Sequence, residues 1–266
     1  MTSDILAKRA WNLTRSDIHY RHGTFTEGLR AAGYDVRGDA PQGAPGNALL
    51  IWNRYGAYHN QATAFEAAGG TVIVAENGYC GKDADGHQYF ALARGGHNGS
   101  GQWYVGGPER WAALGIELAP WRADGGHILV CGQRGIGSPT MASPPNWHEL
   151  TAAKLRTMTK RQVRVRTHPG NNAPAVPLAD DLRGAWACVI WSSGAGVQAL
   201  VAGIPVIYQA PHWICEGAAD DALEVVERNP LGVTPISREA ALQRMAWAQW
   251  SLAEIASGEP FRRLLA

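Results

Sequence analysis

Two short stretches of this 266-residue chain carry side chains suited to holding a phosphate. One is RVRTHP, Arg164 to Pro169, and the other is WSSGAG, Trp191 to Gly196. In the first, Arg164, Arg166 and His168 alternate, and the two-residue period of an extended strand would turn all three side chains to one side. Guanidinium and imidazole groups so placed could hold a diphosphate. In the second, Ser192 and Ser193 close an apolar run and Gly194 leads into a helical stretch, so hydroxyls, accessible backbone and the positive end of a helix would converge. Each has a plainer reading. Serine before a helix is a common N-cap, and proline after an isolated histidine ends a strand in many loops.

A third basic group, Arg134 in GQRGIG, is flanked by glycines that let backbone approach a ligand closely. The loop lacks the P-loop lysine, and no acidic residue follows at the distance of a dinucleotide fingerprint, so neither an ATPase nor a dehydrogenase is indicated. In the first half of the chain, Glu76 in AENG and Asn53 and Arg54 in WNRYG close apolar runs. Glu76 is the expected general base, its plainer reading being an acid that caps a turn; His22 and His59 are the reserves for the base. Trp103, with Tyr104, lies in the Gly-rich stretch RGGHNGSGQWYVGG, where an aromatic ring could stack on a sugar or a displaced base. The acidic pair of DADG, residues 83–86, reads as a turn rather than as a metal-holding motif, and no metal is expected.

These residues need strands and helices to bring them together. Short apolar runs ending in Gly, Asn, Ser or Pro alternate with helical periodicity, which is the pattern of parallel α/β structure. ALLIWN and TVIVAENG read as strands around a helix. From Tyr79 to Asp124 the pattern gives way to a long Gly-rich, aromatic loop of the kind that usually carries function. A second series follows: strands HILVCG, VRVRTHP, ACVIWSS and PVIYQAP with helical crossovers. The stretch SREAALQRMAWAQWSLAEIASG then reads as one long helix with Ser237 as its N-cap. The expected organisation is α/β, with an N-terminal Rossmann-like half (1–124), a second (125–237), a cleft between them and a C-terminal helix (238–266).

Composition sets the outer bounds. The net charge is +1, so no global field draws the chain to nucleic acid or membrane, and any basic site must be local. The four cysteines are far apart with no C-x-x-C pair, which argues against structural zinc and a disulfide framework and for a reducing, cytoplasmic setting. The first residues contain no signal-peptide h-region, and no segment reaches the length of a membrane span, so neither export nor a membrane anchor is expected.

The order His-Pro after one strand, Ser-Ser after the next, then ALVAGIPVI resembles the C-terminal half of GT-B type glycosyltransferases. It looks most like the bacterial sialyl- and Kdo-transferases that carry HP and SS motifs, and like small phage-encoded sugar transferases. Gln198 to Ile207 is similar to a pattern that GT-B enzymes share with UDP-sugar epimerases. The resemblance covers roughly Gly125 to Pro211. It implies that His168, Ser192 and Ser193 contact the phosphates of a UDP- or CMP-sugar donor, with no separate cofactor. Arg134, Arg166 and Gly194, chosen for their places at the strand ends, are expected to complete a metal-independent phosphate site. Gln198 stands where such enzymes place a ribose-binding glutamate, which leaves Glu216 as the nearest acid for the nucleotide. Asn53, Arg54 and Trp103 would then face the acceptor. The small format suggests a phage enzyme acting in the host cytoplasm on hydroxymethylated bases of DNA, with Lys154, Arg156, Lys160 and Arg161 tracking the backbone. Surface polysaccharide is the alternative acceptor, and an epimerase or hydrolase, or a sugar-nucleotide binding module, the alternative activity.

Overall fold

In the computed structural model, which describes residues 8–170, 176–227 and 237–266, the chain forms two units. One comprises Met1–Val105 together with Trp247–Ala266, the other Gly106–Ala246. The segment before residue 8, read for export signals above, lies outside the described residues.

The first unit contains β1 (Arg9–Asn12), α1 (His22–Ala31), β2 (Asp35–Arg37), β3 (Ala48–Trp52), α2 (Gly56–Ala67), β4 (Thr71–Lys82) and β5 (Gln88–Arg94). The second holds α3 (Glu109–Ala113), β6 (His127–Cys131), α4 (Trp147–Met158), β7 (Gln162–Arg166), α5 (Leu178–Leu182), β8 (Ala185–Ile190), α6 (Ala195–Val201), β9 (Val206–Tyr208) and α7 (Arg238–Ala246). The chain then returns to the first unit as β10 (Gln249–Trp250), α8 (Leu252–Ala256) and α9 (Glu259–Leu264).

The first sheet has the order β2-β1-β3-β4-β5-β10. Its first four strands are parallel, and β5 and β10 extend it antiparallel. The second sheet, β7-β6-β8-β9, is parallel throughout. Both parallel sets share one order, second-first-third-fourth, so the two apolar series seen in the sequence are two Rossmann-like sheets. ALLIW, HILVC and AWACVI are buried at every position because parallel strands are covered on both faces. Strand alternation sorts them. Leu50 and Trp52 join Phe25, Leu29, Ile73 and Phe261 on one side of the first sheet, while Leu49 and Ile51 join Trp11, Phe65, Val72 and Val74 on the other. Each such side chain contributes about 1.5–3 kcal/mol by leaving water. In the second sheet, Ile128, Val130, Val163, Ala187, Val189 and Ile207 share a cluster with Trp147, Ala152 and Leu155 of α4.

Three expectations are corrected. The long C-terminal helix is broken: Gln249 and Trp250 pair with Ala91 and Phe90 as an edge strand, and α8 starts afresh at a capping box between Ser251 and Glu254. Gly258, at φ 81°, turns the chain into α9. A helix running through Trp250 would forfeit that strand pairing. The Gly-rich loop expected from Tyr79 opens instead as the β4–β5 hairpin. Its turn is DADG: Gly86 N donates to Asp83 O at 3.0 Å, and the Asp83 carboxylate accepts from Asp85 N at 3.1 Å and His87 N at 2.8 Å. Glu76 therefore sits inside β4, opposite Ala91, and not at a strand end. The unit boundary falls between Val105 and Gly106, ahead of the expected division after Asp124, and residues 247–266 belong to the first unit.

Candidate active site

In the second sheet the chain leaves β6 for β7 on one side and then crosses to β8 on the other. The carboxyl ends of β6 and β8 are therefore a topological switch point, where open α/β sheets bind ligands. Gln133, just past β6, spans that point. Its Oε1 accepts from Ser192 N at 2.8 Å and its Nε2 donates to Ser192 Oγ at 3.1 Å. Ser192 is buried, so the glutamine fixes the turn from β8 into α6. Ser193 follows, half-exposed, its Oγ accepting from Ala195 N at 3.2 Å. Gly196 is required by packing, since a Cβ there would lie 2.6 Å from Ile190 Cδ1 and from Trp213 Cζ2, whereas the space beside Gly194 is open.

His168 lies beyond β7. Its Nδ1 accepts from Gly170 N at 2.9 Å. A backbone N–H can only donate, so in the neutral ring Nδ1 holds the lone pair and Nε2 carries the proton. The ring is thereby set to donate. Partial burial of its charge, then the guanidinia of Arg134 and Arg166, hold its pKa below the ordinary imidazole value. Arg166 is oriented by the Asp181 carboxylate and by Val176 O at 2.8 Å. Three cationic or N–H-donating side chains from the ends of β6 and β7 thus gather beside a serine turn from the end of β8.

The fold, taken by itself, has solved counterparts. The fold is shared with Kdo transferases. The Thermosulfurimonas dismutans KpsC beta Kdo 2,7 transferase matches with a TM-score of 0.58 at 15% identity, over 90% of this chain and 90% of that one. The KpsC beta Kdo 2,4 transferase of the same organism matches with a TM-score of 0.55 at 13% identity, over 88% of this chain and 89% of the other. Both units fall within the match, and the likeness shows a two-domain, Rossmann-like fold of the GT-B kind. No protein family's sequence profile matches the chain, and no curated protein matches it.

Of the residues singled out in the sequence, Arg134 and Arg166 lie close enough to His168 to act on its charge, while Ser192, Ser193 and Gly194 follow β8 and are tied to the end of β6 through Gln133. Arg164 does not join them. It bonds Gln162 Oε1 at 3.0 Å, and its charge acts on His127, which starts β6. Glu216 lies after β9, where its Oε2 accepts from Trp213 N at 3.3 Å and stands 3.6 Å from His212 Nδ1. Burial, then Glu216, Asp221 and Asp220, push the Tyr208 hydroxyl pKa up, so an acidic patch follows β9.

In the first unit, Asn53 takes up a left-handed conformation at φ 54° directly after β3. Arg54 is a brace. It makes a two-pronged pair with Glu66 at 2.8 and 2.7 Å and also donates to Gly95 O and Thr63 Oγ1. That engagement orients the guanidinium inward rather than toward an acceptor. Glu76 Oε1 accepts from Asn98 N at 2.8 Å and from the Tyr79 hydroxyl. Trp103 packs against the core cluster around Trp52 and Phe90, and Tyr104 meets Trp247 edge-on under the Arg263 guanidinium. Among the described residues, the buried Nδ1 of His59 has no hydrogen-bond partner. His22 is held through Nδ1 by Thr14.

Sequence reasoning missed Gln133. It stood beside the chosen Arg134, but its partner is Ser192, and only the β6–β8 pairing brings the two together. Among the described residues, Asp83, Asp85 and His87 could converge on an ion, but the Asp83 carboxylate already holds the hairpin turn. No helix among the described residues is long and apolar enough to cross a membrane.

Proposed function

We propose that the chain is a nucleotide-sugar-dependent glycosyltransferase whose second unit holds the donor phosphates beyond β6, β7 and β8. The observation that carries this reading is His168, its Nε2–H set to donate, beside Arg134 and Arg166 and next to the Gln133-braced Ser192–Ser193 turn. In sugar transfer the bond from the anomeric carbon to the phosphate oxygen breaks, and the electron pair leaves on the phosphate. Fixed cations and N–H donors aimed at that oxygen stabilise the developing charge without a metal. Glu216 would meet the nucleotide, and Gly194 leaves room for phosphate at the turn. The fold likeness to two Kdo transferases supports the assignment, and CMP- and UDP-sugars are the donors to try.

A glycan hydroxyl is the favoured acceptor. DNA would need cations free to follow a phosphate backbone, but three of the four basic residues marked for that role have internal partners. Lys154 pairs with Glu224 at 3.2 Å, Arg156 donates to Val163 O at 3.3 Å, and Arg161 bonds Gly125 O and stacks on Trp186. The test is a panel of CMP- and UDP-sugars against oligosaccharides, hydroxymethylated DNA and unmodified DNA, with His168→Ala and the Ser192→Ala, Ser193→Ala pair alongside. Transfer to an oligosaccharide, strongly reduced in both variants, is the expected result. Wild-type rates in both would remove the proposed phosphate site, and transfer to hydroxymethylated DNA alone would restore the DNA reading.

A further inference from the structure

His168, Pro169 and Gly170 form a tight turn just beyond β7, and the turn bears on the charge of the imidazole. Pro169 has no backbone N–H, so the first main-chain donor after the histidine is Gly170 N, which meets Nδ1 at 2.9 Å. Gly170 has φ 67°, in the left-handed region, while the space where a Cβ would stand is open. Glycine is therefore required here by backbone conformation and not by packing. A side chain would strain the turn and tilt the Pro169–Gly170 peptide that carries the N–H. Protonation of Nδ1 would set two N–H donors against each other across the same short gap. The charges acting on the ring, from Arg134 after β6 and Arg166 at the end of β7, are both positive, and the Asp181 carboxylate of α5 is engaged by Arg166. Geometry and charge both favour the neutral ring with its proton on Nε2.

We infer that Gly170 is the positioning residue that holds His168 as a neutral Nε2–H donor, so that His168 gives the donor phosphate a hydrogen bond but no proton as the sugar leaves. The inference rests on the glycosyl-transfer reading and assigns the protons at its phosphate site. In the step, the acceptor oxygen bonds to the anomeric carbon, the bond from that carbon to the phosphate oxygen breaks, and its electron pair stays on the phosphate. The acceptor hydroxyl's proton passes to a carboxylate or solvent base outside this site, and the Nε2 proton stays on nitrogen throughout. Arg134 and Arg166 supply positive charge, and the imidazole supplies direction. A protonated imidazole would be able to act as a general acid. A neutral one is not, because surrender of its only N–H would leave an anion.

Nitrogen NMR of the full chain reads the ring directly. At about pH 7.5, above the ordinary imidazole value, His168 should show a bare Nδ1 and a protonated Nε2, both alone and with saturating CMP or UDP. An imidazolium in the nucleotide complex, or a proton on Nδ1 of the neutral ring, would overturn the inference. Gly170→Ala should mix the two tautomers and weaken CMP or UDP binding by about 2–10-fold, the worth of one oriented hydrogen bond. Gly170→Asn should recover most of both, because asparagine enters the left-handed region more readily than alanine. A folded Gly170→Ala protein with the wild-type tautomer and affinity would remove the positioning role. With the donor and acceptor found in the panel, His168→Gln, whose amide donates but carries no acidic proton, should keep more transfer than His168→Ala; equal loss in the two would mark His168 as a proton donor and sink the inference. A wild-type chain that holds this tautomer but binds neither CMP nor UDP would instead refute the glycosyltransferase reading, and the role at the phosphate with it.

Discussion

Gln133 is the residue through which the donor site can be tested without touching a proposed phosphate ligand. Gln133→Leu keeps most of the side-chain volume but removes the acceptor of Ser192 N and the donor to Ser192 Oγ. Ser192 is only 4% exposed, so water cannot replace the lost acceptor freely. Depriving a buried N–H of its acceptor costs about 1–3 kcal/mol and losing the second bond about 0.5–1.5, giving roughly 2–4 kcal/mol off the stability of the second unit. Gln133→Glu separates folding from binding. Its carboxylate still accepts from Ser192 N, but it places a negative charge at the phosphate site. At about 6 Å and an effective dielectric near 20, that charge opposes each phosphate charge by about 3 kcal/mol, or roughly 100-fold in affinity. Denaturant unfolding and calorimetric titration with CMP and UDP read the two effects. Wild-type nucleotide affinity in a folded Gln133→Glu protein would refute the placement of phosphate beside this residue, and an unshifted unfolding midpoint in Gln133→Leu would refute the bracing role.

Arg54→Met should destabilise the first unit by about 1–3 kcal/mol, because Glu66 and Gly95 O lose a half-buried, charge-assisted partner, while CMP and UDP affinity stays unchanged; thermal unfolding and titration check the two halves of that statement. Gly28→Ala should cost at least about 1–3 kcal/mol by overpacking, since a Cβ there would fall 2.0 Å from Ile255 O and 2.7 Å from Phe261; chemical denaturation measures it. The pKa values of His168 and His127 are both depressed in the folded chain, each by burial first, so the unfolded state binds more protons as pH drops below the ordinary imidazole value of 6.5. Their contribution to stability is therefore complete above that pH and is lost as pH falls through the folded values, and His168→Gln should flatten part of the slope in unfolding midpoints measured from neutral to mildly acidic pH.

The second unit was the more legible half. Its strands are uninterrupted apolar runs, and the residues expected to hold phosphate lie directly at their ends, where topology alone brings them together. Strand β1, RAWN, is four residues long with a charged first residue, and neither its length nor its pattern marks it out. The hairpin strand β5 was hidden because Tyr79 to Gln88 reads as loop chemistry, while its antiparallel pairing with β4 is set by residues far along the strand. At the C-terminus, helical spacing of apolar residues continued across Trp250, yet the Ser251–Glu254 capping box and Gly258 were legible signals of a restart. The roles of Arg54 and Gln133 were not readable. Each is decided by a partner, Glu66 or Ser192, whose distance depends on the folded backbone.

The return of Trp247–Ala266 to the first unit orders events during synthesis. A ribosome delivers every residue of the second unit before it makes β10, α8 and α9, so the second unit can fold while the first still lacks an edge strand and the two helices. Until then β5 has an open edge toward β10, and Phe25, Leu29 and Phe90 lack the covering provided by Trp250, Ile255 and Phe261. Such an uncovered edge is a template for pairing with another chain. The nascent protein is therefore most exposed to aggregation just before its final residues emerge, and a stalled or clipped chain that stops short of Trp247 should be the form that chaperones retain.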